Sequence, residues 1–375
     1  MNDRERFWRF AHYQEIDRLP FWADWIGPWK RWRTEGLPID PDIEDTDLRA
    51  WCLKYFGFEG MFSTFWGVPR VPVNVGIGPA FEKVILEEKD SYCIFRSGSG
   101  ATVKQFKHPD STLISTQWLD YPIKGRDDWK RFRDEHLDPN APGRYPPPSE
   151  WEAMKKGWQN RDYVISIDGG SFYGFVRDWI GVESLGLMLY DDPDLIHEMM
   201  DYLADFYIQI LHKALDEVDV DFALFWEDMC YKTGPLMSPA MFREFCLPNY
   251  KKVTSFLAEH GVELSWVDCD GNIEALLPLW IEGGVRGFYP LEVAAGMDAG
   301  KLQEKYGKQI LTWGNVDKRA LAQGKEAIDA EMARLVPAVE RGGFIPLVDH
   351  GVPDDVSYPN YLYYLEQRKR ITGYA

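Results

Sequence analysis

The chain has 375 residues, 45% of them hydrophobic and 15% aromatic, enough to fill one large core. Its 42 basic and 60 acidic residues leave a net charge of −18, which repels phosphate backbones and anionic membrane surfaces and so argues against nucleic acid and membrane as partners. Five cysteines with no CxxC pair, an MNDRERFWRF start without an apolar signal core, and no run of 18 apolar residues set the expectation of a reducing, cytoplasmic setting without a disulfide scaffold.

Residues 1–19 read as a helix capped by Asp3, with Phe7, Phe10 and Ala11 at helical spacing and Pro20 as its stop. LPFWADW then reads as a first strand. The run DTDLRAWCLKYFG reads as a helix closed by Gly57. Between about 70 and 110, VPVNVGIG, EKVILEE, YCIFRS and ATVKQF carry β signals around the turns KDS and SGSG, which predicts a hairpin-rich insertion. LDPNAPGRYPPP at 137–148 reads as a surface loop.

From about 162 the pattern is regular. Short apolar runs alternate with helices, and with the first they give seven strands starting at 20, 163, 223, 263, 287, 311 and 343. Such alternation means βαβ units and a parallel sheet. The expectation is one α/β domain over 1–375, a TIM (β/α)₈ barrel with an N-terminal helical and β-hairpin insertion. An eighth strand is then required in the N-terminal third. An open doubly wound sheet is the alternative, although no GxGxxG follows a strand.

Barrel chemistry sits at the C-terminal strand ends. Here those ends carry Asp168; Glu227 and Asp228; Asp268, Cys269 and Asp270; Glu292; Asn315 and Asp317; and Asp349 and His350. A cationic ligand, a metal or proton transfer would each explain acids repeated at one end. The plain alternative is that each caps the next helix. Asp268 and Asp270 lie two apart and share a face, which turns Cys269 toward the helix layer. His350, before Gly351 and Pro353, is the one histidine at a strand end. It suits metal ligation or acid–base work.

Seven segments in order carry a family resemblance: YPIKGRDDW, GGSFYGFVRDWIGVES, LMSPAMFREFCLPNYKKV, VDCDGN, GGVRGFYPLEV, LTWGNVDKRAL and GGFIPLVDHGVPDDVSYPNY, spanning 121–361. The chain resembles the uroporphyrinogen decarboxylase superfamily, nearer to its corrinoid-dependent methyltransferase branch than to the true decarboxylases. The resemblance implies a TIM barrel with one deep cleft. The decarboxylases carry an Arg-Gln-Ala-Gly-Arg segment after the first strand, where this chain has Asp24, Trp25 and Gly27. Their Phe-Ser-Asp segment corresponds to Phe62, Ser63 and Thr64. The methyltransferases bind zinc through a His-x-Cys pair and a later Cys. Those positions match Asp268 and Asp270, with the later one near His350, so the spacing persists while the ligands become harder.

The resulting expectation is a metal-assisted methyltransferase that passes a methyl group from a small O- or N-methylated compound to a corrinoid protein. Asp268, Asp270, His350 and Glu227 are the expected ligands of a divalent metal, zinc in the first place. His350, Asp270 and Glu227 are the expected catalytic groups. Trp22, Asp24, Trp25, Phe65, Trp66, Asp168, Tyr173, Arg177, Glu292 and Asn315 are the expected substrate contacts, the aromatic ones having core packing as their plain alternative. Two other readings stand beside it: a metal-free lyase acting on another carboxylic acid, and a non-catalytic ligand-binding barrel. A homodimer is compatible with the sequence.

Overall fold

The apolar runs that alternate with helices pair in parallel and in chain order. In the computed structural model, which describes residues 1–40, 43, 45–61, 69–107 and 116–374, the barrel strands are β1 (Trp22–Ala23), β2 (Gly60–Met61), β3 (Ser166–Gly170), β4 (Phe222–Trp226), β5 (Ser265–Asp268), β6 (Gly287–Tyr289), β7 (Leu311–Val316) and β8 (Phe344–Val348). β3 to β8 form one six-stranded sheet in sequence order. β1 pairs with β2. A parallel bridge from Ile26 to Val352 joins the chain after β1 to the chain after β8, and another from Arg70 to Ser166 joins the chain after β2 to β3. The ring is therefore a TIM barrel, and β2 is the strand required in the N-terminal third.

Alternation along each strand separates two cores. Ala223, Phe225, Val267, Phe288, Val316 and Val348 face the helices, whereas Trp22, Leu224, Trp266, Trp313, Ile345 and Leu347 fill the barrel. The interior is dense. Trp266 and Trp313 meet edge to face with ring centroids 4.0 Å apart, and Trp22 stacks on Trp313 at 5.8 Å. Gly287 lies opposite Trp266, and a Cβ there would fall 1.7 Å from the indole nitrogen. A large residue on one strand is thus matched by none on its neighbour. The N-terminal helix Asp3–Ala11 plugs the base, with Phe7 against Trp22, Phe222 and Trp266, and Phe10 against Trp313.

The insertion is a four-stranded antiparallel sheet, Val84–Glu88, Tyr92–Arg96, Thr102–Phe106 and Thr116–Asp120. Three expectations change. The first helix ends at Ala11, and Asn2, not Asp3, caps it by accepting from the Glu5 amide. VPVNVGIG forms no strand: Val71, Val73 and Val75 are buried as an irregular segment. The 137–148 loop is anchored inward by Arg144, which is buried and donates to the carbonyls of Asn74, Gly76, Gly78, His136 and Asp138. A buried guanidinium with every bond on backbone oxygens fixes two loops at once.

Candidate active site

At the C-terminal end of the barrel, Trp25, Trp226, Asp228, Asp268, Asp270, Tyr289 and His350 line a cavity of about 110 Å³. It is smaller than a groove of about 490 Å³ at the barrel base, lined by Phe10, Tyr13, Lys308 and Arg341 among others, but it brings three carboxylates and a histidine together.

The wall is built by strand parity. Phe222, Leu224 and Trp226 point inward, so Glu227 points out and Asp228 returns toward the mouth. Asp228 has φ +40°, a left-handed backbone unusual for a non-glycine residue. Arg177 holds it there by donating to the Asp228 carbonyl, with its guanidinium 5.2 Å from the Trp226 ring. Asp268 ends β5 facing inward, and Asp270 follows on the same side. Carboxylate oxygens of Asp228, Asp268 and Asp270 all lie within 4.8 Å of one another. His350 Nε2 lies 3.4 Å from Asp270 Oδ2. Trp25 packs on the His350 ring at 5.2 Å, and its carbonyl accepts from the Val352 amide, which ties the loop after β1 to the loop that carries the histidine.

Burial and mutual repulsion set the protonation. Burial, then the neighbouring Asp270 charge, push the Asp228 carboxyl up to about 7, with Arg177 pulling back. Burial draws His350 down, but the hydrogen bond and charge of Asp270 outweigh it, and the imidazole ends above its ordinary value. Three carboxylates this close in a half-buried pocket repel one another, a strain that the proton on Asp228 relieves and that a cation would relieve as well. The donor chemistry, three carboxylate groups and one imidazole, fits a divalent ion, and it is harder than a thiolate zinc site. Cys269 does not join it. Its sulfur faces the helix layer and accepts from the Met229 amide, and burial raises its thiol well above the ordinary range.

Several expected site residues serve the scaffold. Glu227 is fully buried behind the strand. It accepts from the amides of Phe172, Tyr173 and Gly174 at 2.8 to 3.0 Å, from Ser171 Oγ, and from the Tyr250 hydroxyl. It is therefore the anionic cap of the helix Tyr173–Ile180, and the structure places it outside the cavity. Burial raises its carboxyl and the donors restore only part of that. Trp22 belongs to the barrel core. Asp24 is fully buried in a pair with Arg368 at 3.2 Å and also accepts from Tyr361, Tyr364 and the Val348 amide. Asn315 accepts from the Ala299 amide and donates to the Leu291 and Met297 carbonyls. Tyr173 is buried at its helix start. Asp168 pairs with Arg70 at 3.0 Å. Arg177 acts on Asp228 rather than on the cavity. Glu292 buttresses the rim, accepting from the Gly271 amide and pairing with Lys318 at 3.1 Å. Asp349 caps two turns through the Val293 and Lys318 amides, and burial pushes its carboxyl up to about 6. Phe65 and Trp66, like Thr64, lie outside the described residues. Trp25, Asp268, Asp270 and His350 are the expected residues that the cavity gathers. Asp228, Trp226 and Tyr289 join them, and the parity that paired Asp268 with Asp270 selects Trp226 and Asp228 on β4 as well.

Known proteins give the site a family context. A sequence model of uroporphyrinogen decarboxylase (URO-D) matches residues 179–371. Uroporphyrinogen decarboxylases from Pseudomonas aeruginosa and Pseudomonas fluorescens are each 27% identical, over 210 and 207 residues, covering 53% of this chain and 52% of theirs. The chain thus spans about half the length of these curated relatives. A methyltransferase from Methanosarcina mazei shares the fold over 100% of both chains, with a TM-score of 0.60 and 17% identity. The family match takes in every strand from β4 to β8 and the acidic cluster with His350. More than half of the chain lies inside it, and the chain belongs to the uroporphyrinogen decarboxylase family.

Proposed function

We propose that this chain is a metal-assisted methyltransferase, moving a methyl group from a small O- or N-methylated compound to a corrinoid protein. The observation that carries the reading is the convergence of Asp228, Asp268 and Asp270 beside His350 in one aromatic-walled cavity. Among the cavity-lining residues there is no lysine or arginine, so the site offers a polycarboxylate nothing to bind and offers a cation three acids. The full-length fold match to a protein described as a methyltransferase is in keeping with this.

Asp228, Asp268 and Asp270 would hold a divalent ion, zinc in the first instance, with His350 as a fourth donor. Such an ion supplies Lewis acidity to the heteroatom that bears the methyl group. Arg177 keeps Asp228 in its strained backbone state. Trp25 fixes the His350 ring. Trp25, Trp226 and Tyr289 exclude water and leave room for a donor of a few heavy atoms.

The test mixes tag-free protein with reduced cobalamin and a panel of aryl methyl ethers and methylated amines. The expected result is a methyl-cobalt absorbance that a chelator abolishes. The acid–base pair His350–Asp270, with Asp228 held near neutrality, favours a second reading, a metal-free lyase on a carboxylic acid. No methyl transfer from any donor, with chelator-resistant carbon dioxide release from an acid panel, would replace the first reading by the second.

A further inference from the structure

A second histidine–carboxylate cluster lies at the other end of the barrel. His212 and Asp216 stand one turn apart on the long helix Pro193–Glu217, which leads into the base of β4. His260 is the C-cap of the helix Leu247–Glu259, which leads toward the base of β5. Asp216 meets both rings: Oδ2 is 3.0 Å from His212 Nδ1, and Oδ1 is 3.5 Å from His260 Nε2. The two imidazoles meet edge to face with centroids 5.2 Å apart. One donor atom from each of the three residues lies within 4.8 Å of the other two.

We infer that His212, Asp216 and His260 form a surface site for a borderline divalent transition metal, of the zinc, cobalt, nickel or copper(II) class, that joins these two helices. Three observations carry it. First, the separations fit. Two ligand atoms at about 2.0–2.1 Å from a tetrahedral ion sit roughly 3.3 Å apart; the two Asp216 oxygens lie 3.0 and 3.5 Å from the two rings, and one donor atom of each residue lies within 4.8 Å of the others, close enough for small side-chain shifts to close on an ion. Second, His260 is oriented as a metal-binding histidine is. Its Nδ1 is 2.8 Å from the Phe256 carbonyl, which can only accept, so Nδ1 carries the proton and Nε2 is left to face Asp216. The ring is further held against Phe256 at 4.3 Å. Third, the ion-pair partners of Asp216 among the described residues are these two rings alone, whereas most acids of this acidic chain that form ion pairs use lysine or arginine. Two imidazoles exclude calcium and magnesium as the preferred guest. His212 and Asp216 are exposed and His260 half-buried, which leaves water in the remaining coordination positions.

The ion would staple the helices that precede two adjacent barrel strands, on the face where barrels carry stability rather than catalysis. At a hundredfold excess over its dissociation constant, an ion bound only to the folded chain raises Tm by about 3 °C for a chain of this length.

The experiment separates this site from the mouth. Tag-free Asp270→Asn/His350→Ala protein is titrated with Co²⁺, read by visible absorbance, and with Zn²⁺, read by calorimetry. The expected result is one equivalent bound with a d–d spectrum of nitrogen and oxygen ligation, and a Tm rise. His260→Ala, or His212→Ala should the first variant fold poorly, should weaken it at least tenfold and remove the Tm rise. No stoichiometric ion in the Asp270→Asn/His350→Ala background, or affinity unchanged within twofold by either histidine variant, overturns the site and identifies the cluster as a surface ion-pair network.

Discussion

His350 Nε2 lies 3.4 Å from Asp270 Oδ2, a contact that joins the loop after β8 to the end of β5. Burial alone would draw the imidazole below its ordinary value, and Asp270 reverses the sign. Asp270→Asn keeps the burial and removes the charge. The His350 titration, followed by NMR in metal-free protein, should then move down. A midpoint that stays put would mean that another group holds the proton.

The metal reading separates two neighbouring carboxylates. Asp268→Asn, Asp228→Asn and His350→Ala should each weaken zinc binding at the mouth by at least tenfold in calorimetry, since each removes an anionic or imidazole donor. Glu227→Gln should leave that affinity within about twofold, because its oxygens face backbone amides behind the strand.

Glu227 shows itself in stability instead. Glu227→Ala strands the amides of Phe172, Tyr173 and Gly174 in a dry interior and costs about 2–4 kcal/mol. Urea unfolding should show a lower midpoint at unchanged slope. A cost below about 1 kcal/mol would show that water reaches the helix end.

Asp228 gives a pH signature. Its carboxyl is raised to about 7 in the fold and ionises near 4 when unfolded, so between those values the folded chain binds the extra proton. Its contribution is intact below pH 4 and is lost as pH rises to about 7. In chelator, the Tm of wild type minus that of Asp228→Asn should fall across that window and be flat above it. A difference that rises with pH would place Asp228 among the stabilised carboxylates.

The Asp24–Arg368 pair is fully buried, and Arg368 also donates to the Trp22 carbonyl. Arg368→Met leaves a buried carboxylate without its cation, which costs about 3–5 kcal/mol and, for this length, about 4–6 °C in Tm. Asp24→Asn/Arg368→Met should recover part of the loss. Calorimetric melting checks both.

Legibility in the sequence followed the strength of the local pattern. Seven strands were readable because each is an apolar run between helices. β2 was not, because Gly60–Met61 is two residues long and acquires its place only by pairing with Trp22–Ala23. Within the site, Asp268, Asp270 and His350 were readable from parity and position. Glu227 reads as a ligand because strand-end carboxylates look alike in sequence, while the strand's two faces send Glu227 to a helix end and Asp228 to the cavity. Trp22 and Asp24 misled for a related reason. Trp22 fills the barrel interior, whereas Asp24 meets Arg368, Tyr361 and Tyr364 of the C-terminal helix in the surrounding layer, and no local pattern announces a partner more than 330 residues away.

The tryptophan-filled barrel and its Phe7–Phe10 stopper also govern traffic. Among the described residues these side chains fill the barrel interior, so on the proposed reading whatever reaches His350 leaves past the same rim. Two reactants that each need the cavity must take turns at a single doorway. An excess of either should obstruct the other, and steady-state kinetics should show mutual substrate inhibition rather than independent saturation.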